Sequence, residues 1–543
     1  MKAARLVTNG LYLRDLIRNG RDKLLRISFR TAKETSKDVD NFSKSKQEDD
    51  VKLTVPKEKE KFLIYDLKRA SARSDSENES DLHAQFIDWM KDEGKDKKKA
   101  SETQELPSKT GDLNLPRLSR NSVEMKCRQL LRNLGEARTP INQKVRLKEL
   151  CKHLIHYPEA CGFTLKEGGL PELLRLVKKS RDERVQAYAR EALALLGYCP
   201  APNGRGIRIL SIDGGGTKGI VVIEILRELE KITGQPIHKL FDLICGVSTG
   251  SILAMLLGAF KSNIDDCLTL YKRTSEQMFQ KDMLRGTSRL LWTHAYYDTS
   301  VWEKILRGVY SERSLIETTQ ESDTPKIAAV SALMNTATIQ PFVFRNYNHS
   351  DKSMSYFEGS AKYKIWQAIR ASAAAPGYFE EFVLDNYVHQ DGGVLVNNPT
   401  PVAIHEAQLL WPNHDIQVCI SIGCGRYSPI NLKAEEKAAL TSLRNKITRY
   451  IDSATDTEGP HRLLQDLLKP GTYFRFNPTL SDYMALDENR ADKLEQMQTD
   501  AQMYLRKNEY KLKQTARALL TKRSFPRKVA DEIRLRAKMY SFS

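Results

Sequence analysis

The chain has 543 residues, enough for two to four domains, and 86 Lys and Arg against 69 Asp and Glu give it a net charge of +17. Its hydrophobic fraction of 40% is below the usual globular share, so part of the chain is expected to lie outside any packed core. The charge favours anionic surfaces, but the basic residues form no nucleic-acid-binding motif, which excludes nucleic acid as a partner.

The first 117 residues divide into two charged segments. Residues 1–33 hold nine Lys and Arg against two acids, with leucines at helical spacing; this fits an organellar transit segment, a membrane-surface helix or a basic disordered arm. Residues 34–117 are rich in Lys, Glu, Asp and Ser and offer little apolar surface to offset chain entropy. We therefore predict a disordered, charged linker there. No run of about 18 apolar residues predicts a membrane-spanning helix.

A helical pattern begins at residue 118 and continues to residue 200. Apolar residues recur on one helix face at Val185, Ala189, Ala192, Leu193 and Leu196. The stretch 169–197 resembles one armadillo repeat, with a glycine turn, an L-x-x-L-L helix and an alanine-rich helix. We predict a small armadillo-like all-α domain packed on its neighbour; a separate module that binds a protein partner is the less favoured alternative.

From residue 205 to residue 402, apolar runs alternate with helical stretches, which is typical of an α/β domain with a mostly parallel sheet. Residues 403–543 are predicted to complete this unit and to end in a basic helical region, since 504–543 hold twelve Lys and Arg against three acids. The predicted strands are 207–212, 241–245, 327–333, 342–344 and 418–422.

The first predicted strand ends in a glycine cluster at 214–216. Backbone N–H groups at such a turn can approach a substrate closely and stabilise an oxyanion. The cluster also fits G-x-G-x-x-G with Gly219, so a dinucleotide site and a purely structural turn are alternatives. Asp213 directly before the first glycine argues against a pyrophosphate. We favour an oxyanion hole.

A second glycine pair, Gly246 and Gly250, flanks Ser248 in a G-x-S-x-G string between two apolar runs. A serine at a strand-turn-helix junction presents its hydroxyl for attack on a carbonyl, and the tight turn favours glycine at both flanks. The string alone is weak evidence, but a glycine cluster one supersecondary unit upstream strengthens it. Ser248 is therefore the predicted nucleophile.

A serine needs a base to take its proton. Several histidines follow Ser248, so a Ser-His-Asp triad is possible, but none lies in a glycine-flanked loop at a strand end. Asp391, followed by Gly392 and Gly393, is better placed, and burial can hold an aspartate pKa high enough for a base. The residues alone favour a Ser-Asp dyad over a triad only about twofold.

The eight cysteines show no C-x-x-C spacing, and several lie in apolar runs, which indicates buried thiols in a reducing compartment. No zincin or EF-hand pattern occurs. We therefore expect a site that uses neither a metal nor a cofactor.

Taken together, the motifs at 213–219, 246–250 and 391–393 resemble those of the patatin-like phospholipases. Residues 371–379 and 397–399 resemble further signatures of that family. The resemblance implies a patatin-like three-layer α/β domain with a central, mostly parallel sheet and no metal requirement.

The same resemblance implies roles for individual residues. Ser248 would be the nucleophile, Asp391 the base and the backbone of 214–216 the oxyanion hole. Lys218 and the glycines of the motifs would support them, although the family usually has arginine at the position of Lys218. A lysine keeps the charge but not the planar fork. The supporting glycines are Gly246, Gly250, Gly392 and Gly393.

Helices before the predicted α/β domain and a basic tail after it are similar to calcium-independent members of the family. This implies hydrolysis of fatty-acyl esters in membrane phospholipids, of phospholipase A2/A1 type, at mitochondrial, peroxisomal or endoplasmic reticulum membranes inside the cell. The chain ends in Ser-Phe-Ser rather than a peroxisomal S-K-L signal, which puts import by that route in doubt. The alternative function is a catalytically inert, membrane-associated scaffold.

Residues 290–297 allow two interpretations, because they mix leucine with Trp and Tyr. Such a segment can be a lid that contacts a bilayer, but more often it is part of the packed core.

Overall fold

The structure is a computed structural model that describes residues 118–279, 295–350, 353–427 and 457–540. The two predicted N-terminal segments, 1–33 and 34–117, lie outside the described residues, as does most of the segment 290–297. At the end of that segment, Tyr297 is buried and packs against the rings of Phe279 and Tyr378. The described end is therefore core.

Five helices lie between residue 118, where the described chain begins, and the first strand. Side-chain caps start three of them: Ser119, Thr139 and Asp182 each accept a hydrogen bond from a backbone N–H of the first turn. The apolar stripe predicted from the sequence is buried on the fifth helix. The helical region is confirmed, whereas the armadillo assignment stays a prediction. The helices are α1 (Arg120–Glu136), α2 (Pro140–His156), α3 (Ala160–Lys166), α4 (Gly169–Lys179) and α5 (Glu183–Leu195).

These helices pack on the remainder of the described chain. Arg190 on α5 donates to the carbonyl of Gln320 at 2.8 Å, and Asn348 donates from its backbone to the carbonyl of Ala194 at 3.2 Å. The apolar cluster of the helical region also includes Ile316 and Met539, which come from far along the chain. Packing against the neighbouring domain is thus continuous with the region's own core.

Within the described residues the sheet has nine strands and runs in the order β5-β4-β3-β2-β1-β8-β9, with the hairpin β6-β7 joined to β3. The pairs β1-β2, β2-β3, β1-β8 and β8-β9 are parallel, whereas β4 and β7 run antiparallel to β3. The strands are β1 (Ile207–Ile212), β2 (Leu243–Val247), β3 (Lys326–Leu333), β4 (Gln340–Arg345), β5 (Glu358–Ser360), β6 (Phe382–Leu384), β7 (Tyr387–Asp391), β8 (Ile416–Ile422) and β9 (Tyr473–Phe476).

Helices cover both faces of this sheet. Alternate residues of β1 point to opposite faces: Leu210 and Ile212 join one apolar cluster, and Ile207 and Ile209 join the other. The predicted three-layer α/β fold is confirmed. The covering helices are α6 (Gly219–Thr233), α7 (Ile237–Leu240), α8 (Thr249–Ala254), α9 (Ile264–Met278), α10 (Thr299–Tyr310), α11 (Ile365–Ser372), α12 (Gly393–Val396), α13 (Thr400–Leu410), α14 (Glu458–Leu467), α15 (Ala491–Lys507), α16 (Glu509–Leu520) and α17 (Phe525–Tyr540).

The C-terminal part contains a strand, β9, that is not among those predicted from the sequence. The strand β9 lies beside β8 and is parallel to it. Its four residues include Arg475, which makes the run too short and too polar to be recognised from alternation. That arginine is buried because Asp213 neutralises it. In the part of the chain that the structure describes, no helix is long and apolar enough to cross a bilayer.

Candidate active site

Ser248 lies in the turn between β2 and α8 with φ 53° and ψ −121°, a conformation that few non-glycine residues adopt. The flanking glycines are required by close backbone approach. A Cβ at position 246 would lie 2.1 Å from the carbonyl oxygen of Gly250, and a Cβ at position 250 would lie 2.3 Å from that of Ile212. The turn therefore holds the serine hydroxyl out from the sheet edge.

The sheet brings Ser248 and Asp391 together through their shared neighbour, β3. The last residue of β2, Val247, pairs with Val330, and the last residue of β7, Asp391, pairs with the next residue of β3, Ser331. Because β2 runs parallel to β3 and β7 runs antiparallel, the two strands meet end to end on the same side of β3. The turn after β2 and the end of β7 are thereby adjacent.

The end of α11 joins these two turns. The Ser372 hydroxyl accepts a hydrogen bond from the backbone N–H of Ser248 at 3.0 Å and donates to the carbonyl of Val330 at 2.6 Å. The backbone N–H of Asp391 donates to the carbonyl of Ala374 at 2.9 Å. One helix end thus fixes the backbone of both candidate catalytic residues.

The carboxylate of Asp391 is buried, lines the same cavity as Ser248 and accepts a hydrogen bond from the backbone N–H of Gly393 at 2.7 Å. Burial raises the pKa of Asp391 to about 6, and the nearby Ser248 side chain and the Gly393 N–H oppose the shift. At neutral pH the group is ionised yet more basic than an exposed aspartate. Such a carboxylate can accept the proton of a serine hydroxyl directly.

His389, the histidine nearest to Asp391 in the chain, is part of the core. Its ring packs against Phe342 and Phe344 with centroid distances of 5.1 Å, and Nδ1 is hydrogen-bonded to Ser331 Oγ at 2.9 Å. Burial lowers the pKa of His389 to about 4. No histidine among the described residues lines the cavity that contains Ser248, and His294 lies outside them. The geometry therefore offers a carboxylate rather than an imidazole to the serine.

The three glycines 214–216 line the same cavity as Ser248 and Asp391. The Gly214 N–H donates to the carbonyl of Asn397 at 3.3 Å, whereas those of Gly215 and Gly216 have no protein acceptor among the described residues. Gly216 has φ 58°, and a Cβ there would lie 2.0 Å from the carbonyl oxygen of Leu486. Only glycine fits this close approach.

Tyr271 on α9 links the glycine turn to the serine turn. Its hydroxyl donates to the carbonyl of Gly216 and accepts from the hydroxyl of Thr249, the residue after Ser248. The tyrosine is buried, so these hydrogen bonds are shielded from water. Two turns separated by more than thirty residues are thus held in a fixed relation.

A buried ion pair between Asp213 and Arg475 fixes the residue that precedes the glycine turn. Arg475 on β9 binds Asp213 through both ends of its guanidinium, at 2.9 and 2.6 Å, and the two side chains are each only 2% exposed. Burial raises the pKa of Asp213, and the guanidinium opposes that shift. In the sequence, the charge of Asp213 argues against a pyrophosphate site. In the structure, Arg475 neutralises this charge, and the ion pair holds the glycine turn in place.

Replacing Arg475 by methionine is expected to lower the free energy of unfolding by about 3–5 kcal/mol, because it leaves Asp213 buried without a counter-charge. Equilibrium denaturation by urea measures this change. The double variant Asp213→Asn, Arg475→Met should recover part of the loss, since it removes both charges. A single variant within about 1 kcal/mol of the wild type would contradict the role assigned to the pair.

Beyond the polar groups, the cavity is walled by apolar side chains. Most of them come from α9 and α10 and from the turn that follows α11; they include Leu270, Met278, Trp302, Leu306, Val309 and Phe379. Lys218 also lines the cavity, and its ammonium lies 5.5 Å from the ring centroid of Tyr427. A slot of this kind can hold a hydrocarbon chain beside the serine.

Comparison with known proteins agrees with this arrangement. The model of the family described as patatin-like phospholipase matches residues 210–404, which contain the glycine turn, Ser248 and Asp391. Residues 210–404 are a patatin-like phospholipase domain. The strands β1 to β7 and the helices between them build this domain, while β8 and β9 extend its sheet.

The similarity to curated proteins extends beyond the patatin-like domain. A protein named calcium-independent phospholipase A2-gamma is 45% identical in Oryctolagus cuniculus over 78% of this chain and 53% of that protein. Its Homo sapiens counterpart is 43% identical over 82% of this chain and 59% of that protein. Phospholipase A I of Arabidopsis thaliana is 34% identical over 57% of this chain and 28% of that protein. The chain thus spans little more than half the length of the first two relatives.

Several residues of the candidate site in the patatin-like domain were not predicted from the sequence. Ser372 lies inside the motif 371–379, so its presence near the site could be read from the chain but its hydrogen bonds could not. Tyr271 and Arg475 carry no local signal, because their partners are distant in sequence.

The cysteines are buried thiols, as predicted: seven of the eight are buried, and all eight are free.

Proposed function

We propose that the chain is a calcium-independent lipid acyl hydrolase of phospholipase A2/A1 type, acting through a Ser248–Asp391 dyad. The observation that carries this proposal is that Ser248 and the buried Asp391 line one apolar cavity with Gly215 and Gly216, with the Ser248 side chain near enough to lower the pKa of Asp391. The names of the relatives support a phospholipid as the substrate.

In the first half-reaction, Asp391 accepts the proton of the Ser248 hydroxyl while Oγ bonds to the acyl carbon of the ester. The carbonyl oxygen becomes an oxyanion, which the backbone N–H groups of the 214–216 turn stabilise. Collapse of this intermediate breaks the ester C–O bond, and Asp391 returns the proton to the departing lysophospholipid oxygen. An acyl-serine remains.

In the second half-reaction, Asp391 takes a proton from a water molecule that attacks the acyl-serine. The same N–H groups stabilise the second oxyanion, and its collapse returns the proton to Ser248 Oγ and releases the fatty acid. Both the nucleophile and the base are protein groups, so no step in this mechanism uses Ca²⁺.

The surrounding regions have roles that follow from the same proposal. Residues 205–402 would form the catalytic domain, which 403–543 would complete, and residues 118–200 would form a helical domain that packs on it and offers a surface for a protein partner. The substrate would be taken from intracellular membranes, those of mitochondria, peroxisomes or the endoplasmic reticulum, as the family resemblance implies.

A hydrolysis assay tests the proposal. The purified chain is incubated with vesicles of a phospholipid whose two acyl chains differ, with and without excess chelator. We expect free fatty acid and lysophospholipid in equal amounts, at a rate that the chelator does not change, and labelling by a fluorophosphonate probe at Ser248. A chain that neither reacts with the probe nor hydrolyses lipid would instead be the inert scaffold, and the proposal would fail.

A further inference from the structure

The last described helix, α17, has an apolar face that is largely exposed, and Lys179 lies over the ring of its last residue, Tyr540, at 5.5 Å from the centroid. Phe525, Val529, Ile533 and Tyr540 are exposed by 78%, 42%, 62% and 53%. At 3.6 residues per turn these positions fall within about 80° of the helix circumference. The same side also contains Pro526, Ala530 and Ala537, all exposed, and a single charged residue, Arg536.

Two other residues of α17, next to this face, account for how the helix is held. Met539 is buried in the apolar cluster of the helical region, and Leu535 packs against that cluster. Arg523, just before the helix, pairs with Asp531 at 2.7 Å and donates to the carbonyl of Gly204 at 3.1 Å. The exposed apolar face is therefore a stable surface of a docked helix.

Charged residues border this face. Arg534 lies along one border, whereas Glu532 lies along the other with Lys528 beyond it, and the helix as a whole carries five Lys and Arg against two acids. A helix with an apolar stripe and an excess of cations has the chemistry of helices that lie in the plane of an anionic membrane surface. Its stripe enters the headgroup region while its cations meet lipid phosphates and carboxylates.

We propose that the exposed face of α17 docks on an anionic lipid surface, with Phe525, Val529 and Ile533 as its apolar anchors. The charge of the helix selects this occupant, because an apolar stripe on a helix with an excess of positive charge complements a negatively charged bilayer better than a second copy of the same basic helix. Contacts with residues 204 and 205 place the start of α17 beside the amino-terminal end of β1, whereas Ser248 lies at the carboxyl ends of the strands. Docking through α17 therefore holds the protein on the membrane without contact to Ser248 or Asp391.

Vesicle binding tests this proposal without hydrolysis. The full-length chain carrying Ser248→Ala is mixed with phosphatidylcholine vesicles with and without phosphatidylserine, and bound protein is measured by co-sedimentation. We expect tighter binding to the anionic vesicles, weakening with salt. Adding Phe525→Asp and Ile533→Asp should weaken binding to the anionic vesicles about tenfold or more, with unchanged thermal unfolding because both side chains are exposed.

A matched control lies on α14, where Leu463 and Leu467 are exposed by 58% and 70% on a helix without excess positive charge. The pair Leu463→Asp, Leu467→Asp should leave vesicle binding within about twofold of the parent. The pair Lys528→Gln, Arg534→Gln should weaken binding to anionic vesicles about tenfold but not to neutral ones.

Three results would overturn the proposal. The first is unchanged binding after Phe525→Asp and Ile533→Asp. The second is an equal loss in the α14 control. The third is a parent protein that is dimeric in sedimentation velocity and becomes monomeric after the two α17 substitutions without a change in vesicle binding, which would assign the stripe to a second copy of the chain.

Discussion

Replacing Ser248 by alanine is expected to reduce ester hydrolysis by about 10⁴-fold or more. The substitution removes the atom proposed to form the acyl-enzyme bond while leaving the proposed oxyanion donors and the apolar slot in place. Residual turnover would come from binding and electrostatic stabilisation alone. Release of fatty acid from labelled phospholipid, measured over a range of enzyme concentrations, gives the rate of the variant.

The control for this variant is its fold. Ser248 lies at φ 53°, a conformation that alanine also adopts at a cost, but the backbone N–H keeps its hydrogen bond to Ser372 Oγ. Thermal unfolding and vesicle binding should therefore stay close to those of the wild type, whereas labelling by a fluorophosphonate should disappear. Retained turnover in a pure preparation would refute Ser248 as the nucleophile.

The local geometry around Ser248 could be predicted from the sequence because every cause of it lies within a few residues. Two glycines, an apolar run before them and another after them define a strand-turn-helix junction. The same holds for the parallel sheet, whose central strands are continuous apolar runs. The confirmed strands differ from the predicted ones by only one or two residues at most ends.

The approach of Asp391 to Ser248 could not be derived from the pattern alone, since it depends on the pairing of β7 with β3. Three residues of that short strand pair beyond the point where β2 ends, and nothing in its local sequence states the partner or the direction. The family resemblance supplied the pair of residues. The placement of both residues in one cavity supports the proposed dyad.

Long-range polar contacts could not be predicted from the sequence for the same reason. The ion pair of Asp213 with Arg475 joins residues more than 260 positions apart, and the tyrosine that fixes the glycine turn comes from a helix whose sequence reads as ordinary amphipathic surface. A buried charge looks exposed in a sequence until its counter-charge is known. This is why β9 is not among the strands predicted from the sequence.

Replacing Asp391 by asparagine is expected to lower kcat by about 10³–10⁴-fold, because the amide has the shape of the carboxylate but cannot take the proton of Ser248. The pH profile provides an independent signature. The base must be ionised, so wild-type kcat/KM should fall as pH drops through about 6, where the raised pKa of Asp391 lies. The variant should lack this acidic limb.

Stability should move in the opposite direction from activity. Burial raises the pKa of Asp391 above its unfolded value, so the ionised carboxylate disfavours folding at neutral pH, and this cost disappears as pH falls below the folded pKa. A neutral asparagine that keeps the Gly393 hydrogen bond should therefore unfold at a higher temperature than the wild type at pH 7. Loss of both activity and stability would instead indicate a merely structural role.

The matched variant is His389→Ala, two residues away on the same strand. His389 packs among aromatic rings and is fully buried, so its loss should lower the melting temperature but change the turnover of each folded molecule only mildly. Active-site titration with a fluorophosphonate normalises the rates to folded protein. If His389→Ala were the more damaging change per titrated site, and Asp391→Asn the milder one, a histidine would be the base and the dyad would be wrong.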